Sequence, residues 1–225
     1  MIKIMNSYLK SLLFEEKEEY LENDFDDITE IVIDYDDVSD IDLSELKFFN
    51  NLNSITFINY IIDSNVIENL IPLERLNDLY FKNCKILNFS LIDNLKIKSL
   101  YFDNCNNDEL FYINNIDNLE SLFFDNMQEV DLKEISIIKK VKELSLQNTN
   151  VLNEKYLIYM NEIEKLAIND STICDLSFLL AMERLKYLVV DKKQASASKN
   201  IILELIKNNV IVVDFMNQSI GEYYE

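Results

Sequence analysis

The sequence predicts an α/β repeat solenoid, a curved stack of short units whose strands align in one parallel concave sheet. Two observations carry that prediction. A motif, apolar-x-x-apolar-x-apolar, recurs nine times along the 225 residues at intervals of 21 to 25 residues. The composition, 48 % hydrophobic and 28 % charged, supplies enough apolar side chains for a continuous core despite a net charge of −20.

The motif appears as Ile28/Ile31/Ile33, Leu52/Ile55/Phe57, Leu76/Leu79/Phe81, Ile97/Leu100/Phe102 and Leu119/Leu122/Phe124. It continues as Val141/Leu144/Leu146, Ile163/Leu166/Ile168, Leu185/Leu188/Val190 and, more loosely, Val210/Val213/Phe215. In each unit the last two apolar positions are two apart, so they share one face of a short strand. A unit of this size cannot bury that face alone. Neighbouring units must therefore stack and share one elongated core, with the return segments forming the convex side.

The elements follow in order. Residues 1–27 read as an N-terminal capping segment, because a solenoid exposes apolar core at each end. Within it, Tyr8, Leu9, Leu12, Leu13 and Tyr20 fall on one stripe and predict a helix over Ser7–Asn23. Residues 28–190 are the repeats, and 191–225 form an α/β cap on the same structural domain. There, Ile201, Ile202, Leu205 and Ile206 predict a helix over Ala197–Asn208, followed by a last strand, Val210–Phe215. The polar stretch Asp191–Ser196 reads as a loop.

On these residues the chain resembles the leucine-rich-repeat superfamily, specifically its ~22-residue class, as in bacterial internalins and the eukaryotic phosphatase-regulator type. The unit IEKLAINDSTICDLSFLLAMERL, from Ile163 to Leu185, carries the resemblance most clearly, with Ile173, Leu176 and Leu179 at the expected return positions. One departure is consistent. The position that holds asparagine in the family is here Cys84, Cys105, Met127, Thr149 and Ser171, while Asn83, Asn104, Asn126 and Asn148 stand one residue earlier. The resemblance implies a non-catalytic protein-binding module, or a regulatory subunit that positions an enzyme.

The absences narrow the chemistry. There is no histidine, so there is no imidazole acid–base chemistry, no His-activated nucleophile and no His-ligated zinc. With Gly221 the lone glycine, no glycine-rich phosphate loop can form. A pI near 4.3 argues against direct binding to nucleic acid or an anionic membrane. No cofactor is expected, and the chain reads as a monomer without enzymatic activity. Left-handed turns, ordinarily a task for glycine, fall to asparagine, of which the chain holds 28. An AT-rich genome would produce the same bias.

The first residues lack an uninterrupted apolar run and lead into Glu15, Glu16, Glu18 and Glu19, the wrong flank for export. The three cysteines form an odd, sparse set that suits a reducing compartment. A cytoplasmic location is expected.

Two surfaces stand out. On the open face of the sheet the central positions read Val32, Thr56, Tyr80, Tyr101, Phe123, Ser145, Ala167 and Val189. Tyr80, Tyr101 and Phe123 should stack about 5 Å apart across adjacent strands. They are flanked by Asp78, Ser99 and Ser121 on one side and by Lys82, Asp103 and Asp125 on the other. An aromatic strip rimmed by carboxylates has the composition of a protein-recognition hot spot.

The second surface is acidic. From Glu15 to Glu45 fifteen acids meet one lysine, a local balance of −14, with Asp34, Asp36 and Asp37 at its centre. That patch could steer a basic partner, or simply keep the end of the solenoid soluble. It also raises a second function, an acidic inhibitor or immunity-type protein blocking a basic nucleic-acid-binding enzyme. Asp34-x-Asp36 with Glu45 at the twelfth position echoes a calcium loop, but Val38 and Ser39 occupy places where a ligand and a glycine are needed. The partner expected is a protein, with a basic one among the candidates.

Overall fold

The computed structural model describes residues 2–13, 17–36, 42–106, 109–138 and 140–220. Nine strands form one sheet in sequence order, every neighbour parallel. They are β1 (Glu30–Asp34), β2 (Ser54–Ile58), β3 (Asp78–Lys82), β4 (Ser99–Asp103) and β5 (Ser121–Asp125). The others are β6 (Glu143–Ser145), β7 (Lys165–Ala167), β8 (Tyr187–Val189) and β9 (Ile211–Val213).

Register follows the motif. Ile31, Ile55, Leu79, Leu100, Leu122, Leu144, Leu166 and Leu188 align as one inward row, all buried. Two residues on, Phe57, Phe81, Phe102 and Phe124 stack inside the core with centroids 5.9, 5.6 and 5.4 Å apart. Such planes interlock consecutive units, and each buried ring removes a large apolar area from water.

Return segments are mostly short 3₁₀ helices, including Leu43–Phe48, Leu110–Asn115 and Ser177–Ala181. Their inward residues are spaced by three, as in Leu43/Leu46 and Leu110/Ile113, which suits three residues per turn. The unit starting at Leu52 is longer than most and uses the extra length for an α-helix, Ser64–Leu70, capped by the Asp63 carboxylate on the Val66 amide.

Turns after the strands are left-handed and built without glycine. Asn59, Asn83, Asn104, Asn126 and Asn148 all have φ between 48° and 56°. Their side chains link successive turns: Asn104 Nδ2 donates to Asn83 Oδ1 at 2.8 Å, and Asn148 Nδ2 to Asn126 Oδ1 at 2.8 Å. Asparagines therefore pair across two turn-to-turn steps, one residue earlier than the family pattern and on the surface, whereas Asn126 donates to Asp103 and Asn59 to Asp34 and Asp36, so the ladder is not continuous. At the buried position after it, Cys84 Sγ and Cys105 Sγ donate to the Phe57 and Phe81 carbonyls, both at 3.3 Å, and Thr149 Oγ1 to the Phe124 carbonyl at 2.8 Å.

The ends depart from the sequence reading in three places. The helix expected over Ser7–Asn23 is confined to Ser7–Ser11, capped by Asn6. Tyr20 instead exchanges backbone hydrogen bonds of 2.7 Å with Ile2, an extended pairing that a continuous helix would prevent. Asp191–Ser196 is not a loop. Asp191 caps a helix, Lys192–Ala197, through the Lys193 and Gln194 amides, while Gln194 Oε1 accepts from the Asp191 amide. The last strand is one residue out of the expected register, because Leu188 pairs with Val212 rather than Val213. Phe215 is consequently exposed, and the following chain turns back so that the Ile220 amide donates to the Val212 carbonyl. The expected helix over Ala197–Asn208 is present as Lys199–Lys207, with Ile202 and Leu205 buried.

Candidate functional site

On the open face, alternation along each strand brings Tyr80, Tyr101 and Phe123 into direct register on β3, β4 and β5. The Tyr80 and Tyr101 centroids lie 4.0 Å apart with planes 11° from parallel, and Tyr101 and Phe123 lie 4.1 Å apart at 9°. This is closer than the strand spacing, so the rings lean together into one half-buried stack. Packing against neighbours raises the Tyr101 hydroxyl well above the usual phenol value, first through desolvation and then through the adjacent Tyr80 hydroxyl. The Tyr101 hydroxyl is thus neutral near neutral pH.

One rim of the strip carries the next register row. Lys82 Nζ sits 3.8 Å from Asp103 Oδ2, and Asp103 Oδ1 also accepts from Asn126 Nδ2 at 2.6 Å. Asp125 accepts from the Ser145 hydroxyl at 2.6 Å. Burial pushes the Asp125 carboxyl above its ordinary range, against the lowering effect of the Ser145 and Gln147 hydrogen bonds. The opposite rim is Asp78, Ser99, Ser121 and Glu143, aligned in register.

Sequence reasoning missed what lies beside the strip. Where the stack would continue, β6 and β7 carry Ser145 and Ala167, and the surface falls into a depression of about 480 Å³. Phe123 and Asp125 form one wall, Tyr187 and Val189 the other, with Glu143 and Lys165 paired at 3.7 Å between them. The signal was available as the small residues that interrupt an aromatic row.

A larger depression, about 780 Å³, lies at the C-terminal flank between Asn148 and Met216. Its acids are already engaged within the chain: Asp191 caps a helix and holds the Asp170 amide, Asp214 accepts from the Met216 and Gln218 amides, and the Asp170 carboxylate accepts from the Asn169 side chain. They make a framework rather than a receptive surface.

The acidic patch is divided. Asp34 Oδ1 accepts from the Asp36 amide and from Asn59 Nδ2, and Asp36 Oδ2 accepts from Asn59 Nδ2 at 2.8 Å, so both carboxylates shape the first turn. Asp37 lies outside the described residues. Glu45 is buried and binds the Met5 and Asn6 amides at 2.7 and 3.1 Å, which fastens the N-terminal segment and turns Glu45 away from any calcium-loop role. Among the described residues no three His, Cys, Asp or Glu side chains are grouped as a metal site, and no helix is long and apolar enough to cross a membrane.

No family model and no curated protein matches the sequence. Solved structures do match by fold. An internalin, inlF, of Listeria monocytogenes is 20 % identical with a TM-score of 0.60, the match covering 85 % of this chain and 59 % of that one. Internalin C2 of the same organism is 19 % identical with a TM-score of 0.57, over 88 % of this chain and 85 % of that one. A leucine-rich-repeat protein of Leptospira interrogans, 18 % identical with a TM-score of 0.57, covers 74 % of this chain and 44 % of its own. Parallel strands repeated every 21 to 25 residues, buried aliphatic and phenylalanine rows, and these neighbours together give the chain a leucine-rich-repeat, internalin-like fold.

Proposed function

We propose that this protein is a non-catalytic binding module that holds a protein partner on its concave face. The observation that carries the reading is the Tyr80–Tyr101–Phe123 stack, a rigid aromatic surface in a central row that otherwise holds smaller residues. Its side chains lose little conformational freedom on binding because they already immobilise one another, and large aromatics contribute most of the energy in protein interfaces. Lys82, Asp103 and Asp125 supply polar contacts along one edge. Residues 1–27 and 191–225 close the ends of the stack in this reading, and the free thiols at Cys84, Cys105 and Cys174 suit a cytoplasmic setting.

The test is capture of the partner from native lysate by wild-type protein and by the Tyr80→Ala, Tyr101→Ala, Phe123→Ala triple variant. Capture should fall by at least about a hundredfold in affinity, with the circular dichroism spectrum unchanged. Undiminished capture by a folded triple variant would overturn the reading.

A further inference from the structure

We infer that the depression over Ser145 and Ala167 receives an arginine side chain of the partner, its guanidinium plane continuing the aromatic stack and its N–H groups meeting the Asp125 carboxylate. The inference rests on the concave-face reading and specifies what that face recognises.

Three observations converge. First, the stack stops abruptly. Rings repeat at 4.0 and 4.1 Å as far as Phe123, and the next residue in register is Ser145, whose hydroxyl is turned onto Asp125. Among the described residues the only ring packed on Phe123 is that of Tyr101, so its other face looks into the depression. Second, the carboxylates of this surface are not equivalent. Asp103 faces Lys82 and Glu143 faces Lys165, whereas among the described residues no cation lies within ion-pair distance of Asp125. A half-buried carboxylate without a counter-charge is costly and gains from an incoming cation. Third, the chain carries −20, which favours the approach of a basic partner.

These features discriminate among occupants. An aromatic side chain would satisfy Phe123 but would bury Asp125 further without a partner. A lysine would supply charge but has no plane to stack. The guanidinium does both, since it is flat, weakly hydrated and forked to match a carboxylate. Burial already holds the Asp125 carboxyl above its ordinary range, and a bound guanidinium would pull it back down.

The test is a ¹H–¹⁵N titration of the full chain with Nα-acetyl-arginine amide, with Nα-acetyl-lysine amide as the comparison. Arginine should shift the amides of Phe123, Asp125, Ser145 and Ala167, and its side-chain methylenes should move upfield from the Phe123 ring current. Lysine should bind at least about tenfold more weakly, and Asp125→Asn should weaken arginine by at least about tenfold. Phe123→Leu should abolish the upfield shift in a protein of unchanged fold. Equal binding of the two probes, shifts centred elsewhere, no binding, or indifference to Asp125→Asn would each overturn the arginine subsite. If the triple alanine variant still loses the partner in that case, the concave-face reading stands and only the arginine assignment falls.

Discussion

Among the described residues, eight of the nine non-glycine residues in the left-handed region are asparagines and the ninth is Asp170. Asn104, with φ of 52°, accepts the conformation and also bonds Asn83 across the stack. Asn104→Ala should cost about 1–2 kcal/mol in urea unfolding, because a Cβ without a local hydrogen bond disfavours that region. Asn104→Gly should cost about half of that or less, since it restores the backbone freedom and loses only an exposed contact. Asp125 makes the opposite case, a residue retained at some expense. Its carboxyl is raised by burial, so the folded state binds the proton more tightly than the unfolded chain does. Stability therefore falls as pH rises through the ordinary carboxylate range. Asp125→Asn should raise the Tm at pH 7, and the gain should vanish below about pH 3, where the carboxyl is protonated in both states. A variant less stable at pH 7 would contradict this account.

Among the elements, the strands were the most legible part of the sequence and the terminal helices the least. Register in the first eight strands follows the apolar spacing, each strand checked by the next, whereas the last, at the edge of the sheet, is shifted by one residue. The N-terminal stripe has no such check. Its helical spacing lost to the Ile2–Tyr20 pairing and to the Glu45 carboxylate, which binds the Met5 and Asn6 amides from 40 and 39 residues away. The C-terminal misreading had a local cause. Asp191 and Gln194 form a capping box, a helix-start signal obscured by the polar residues around it. Asp191→Ala should cost about 1–2 kcal/mol and speed amide exchange at Lys193 and Gln194, because it removes their acceptor. Exchange unchanged at those two amides would show that the cap is dispensable.

For the molecule as a whole, the acidic run and the aromatic strip occupy different stretches of the chain. Fifteen of the acids lie between Glu15 and Glu45, whereas the strip begins on β3. Steering and holding should separate in kinetics. Raising salt from about 50 to 500 mM should slow association with a basic partner severalfold while leaving dissociation within about twofold. A carboxylate decoy resting on Asp34 and Asp36 would instead lose affinity by orders of magnitude. Surface plasmon resonance on the captured partner distinguishes the two, and a steep loss through dissociation would favour the inhibitor alternative.

The sequence by itself determined the repeat, the parallel sheet and the face on which Tyr80, Tyr101 and Phe123 stand, because strand alternation and unit stacking are properties of spacing alone. It also determined that histidine chemistry is absent. Tertiary structure decided the rest. The two asparagine pairs across the turns became visible once the turns were known to be left-handed. That Glu45 is fastened to the distant Met5 and Asn6 amides, while Asp125 lines the depression beside the strip, depends on contacts that spacing does not reveal. The depression over Ser145 and Ala167 exists because two small residues fall beside a ring stack in register. Those are relations between units about 22 residues apart, and only packing brings them within reach of one another.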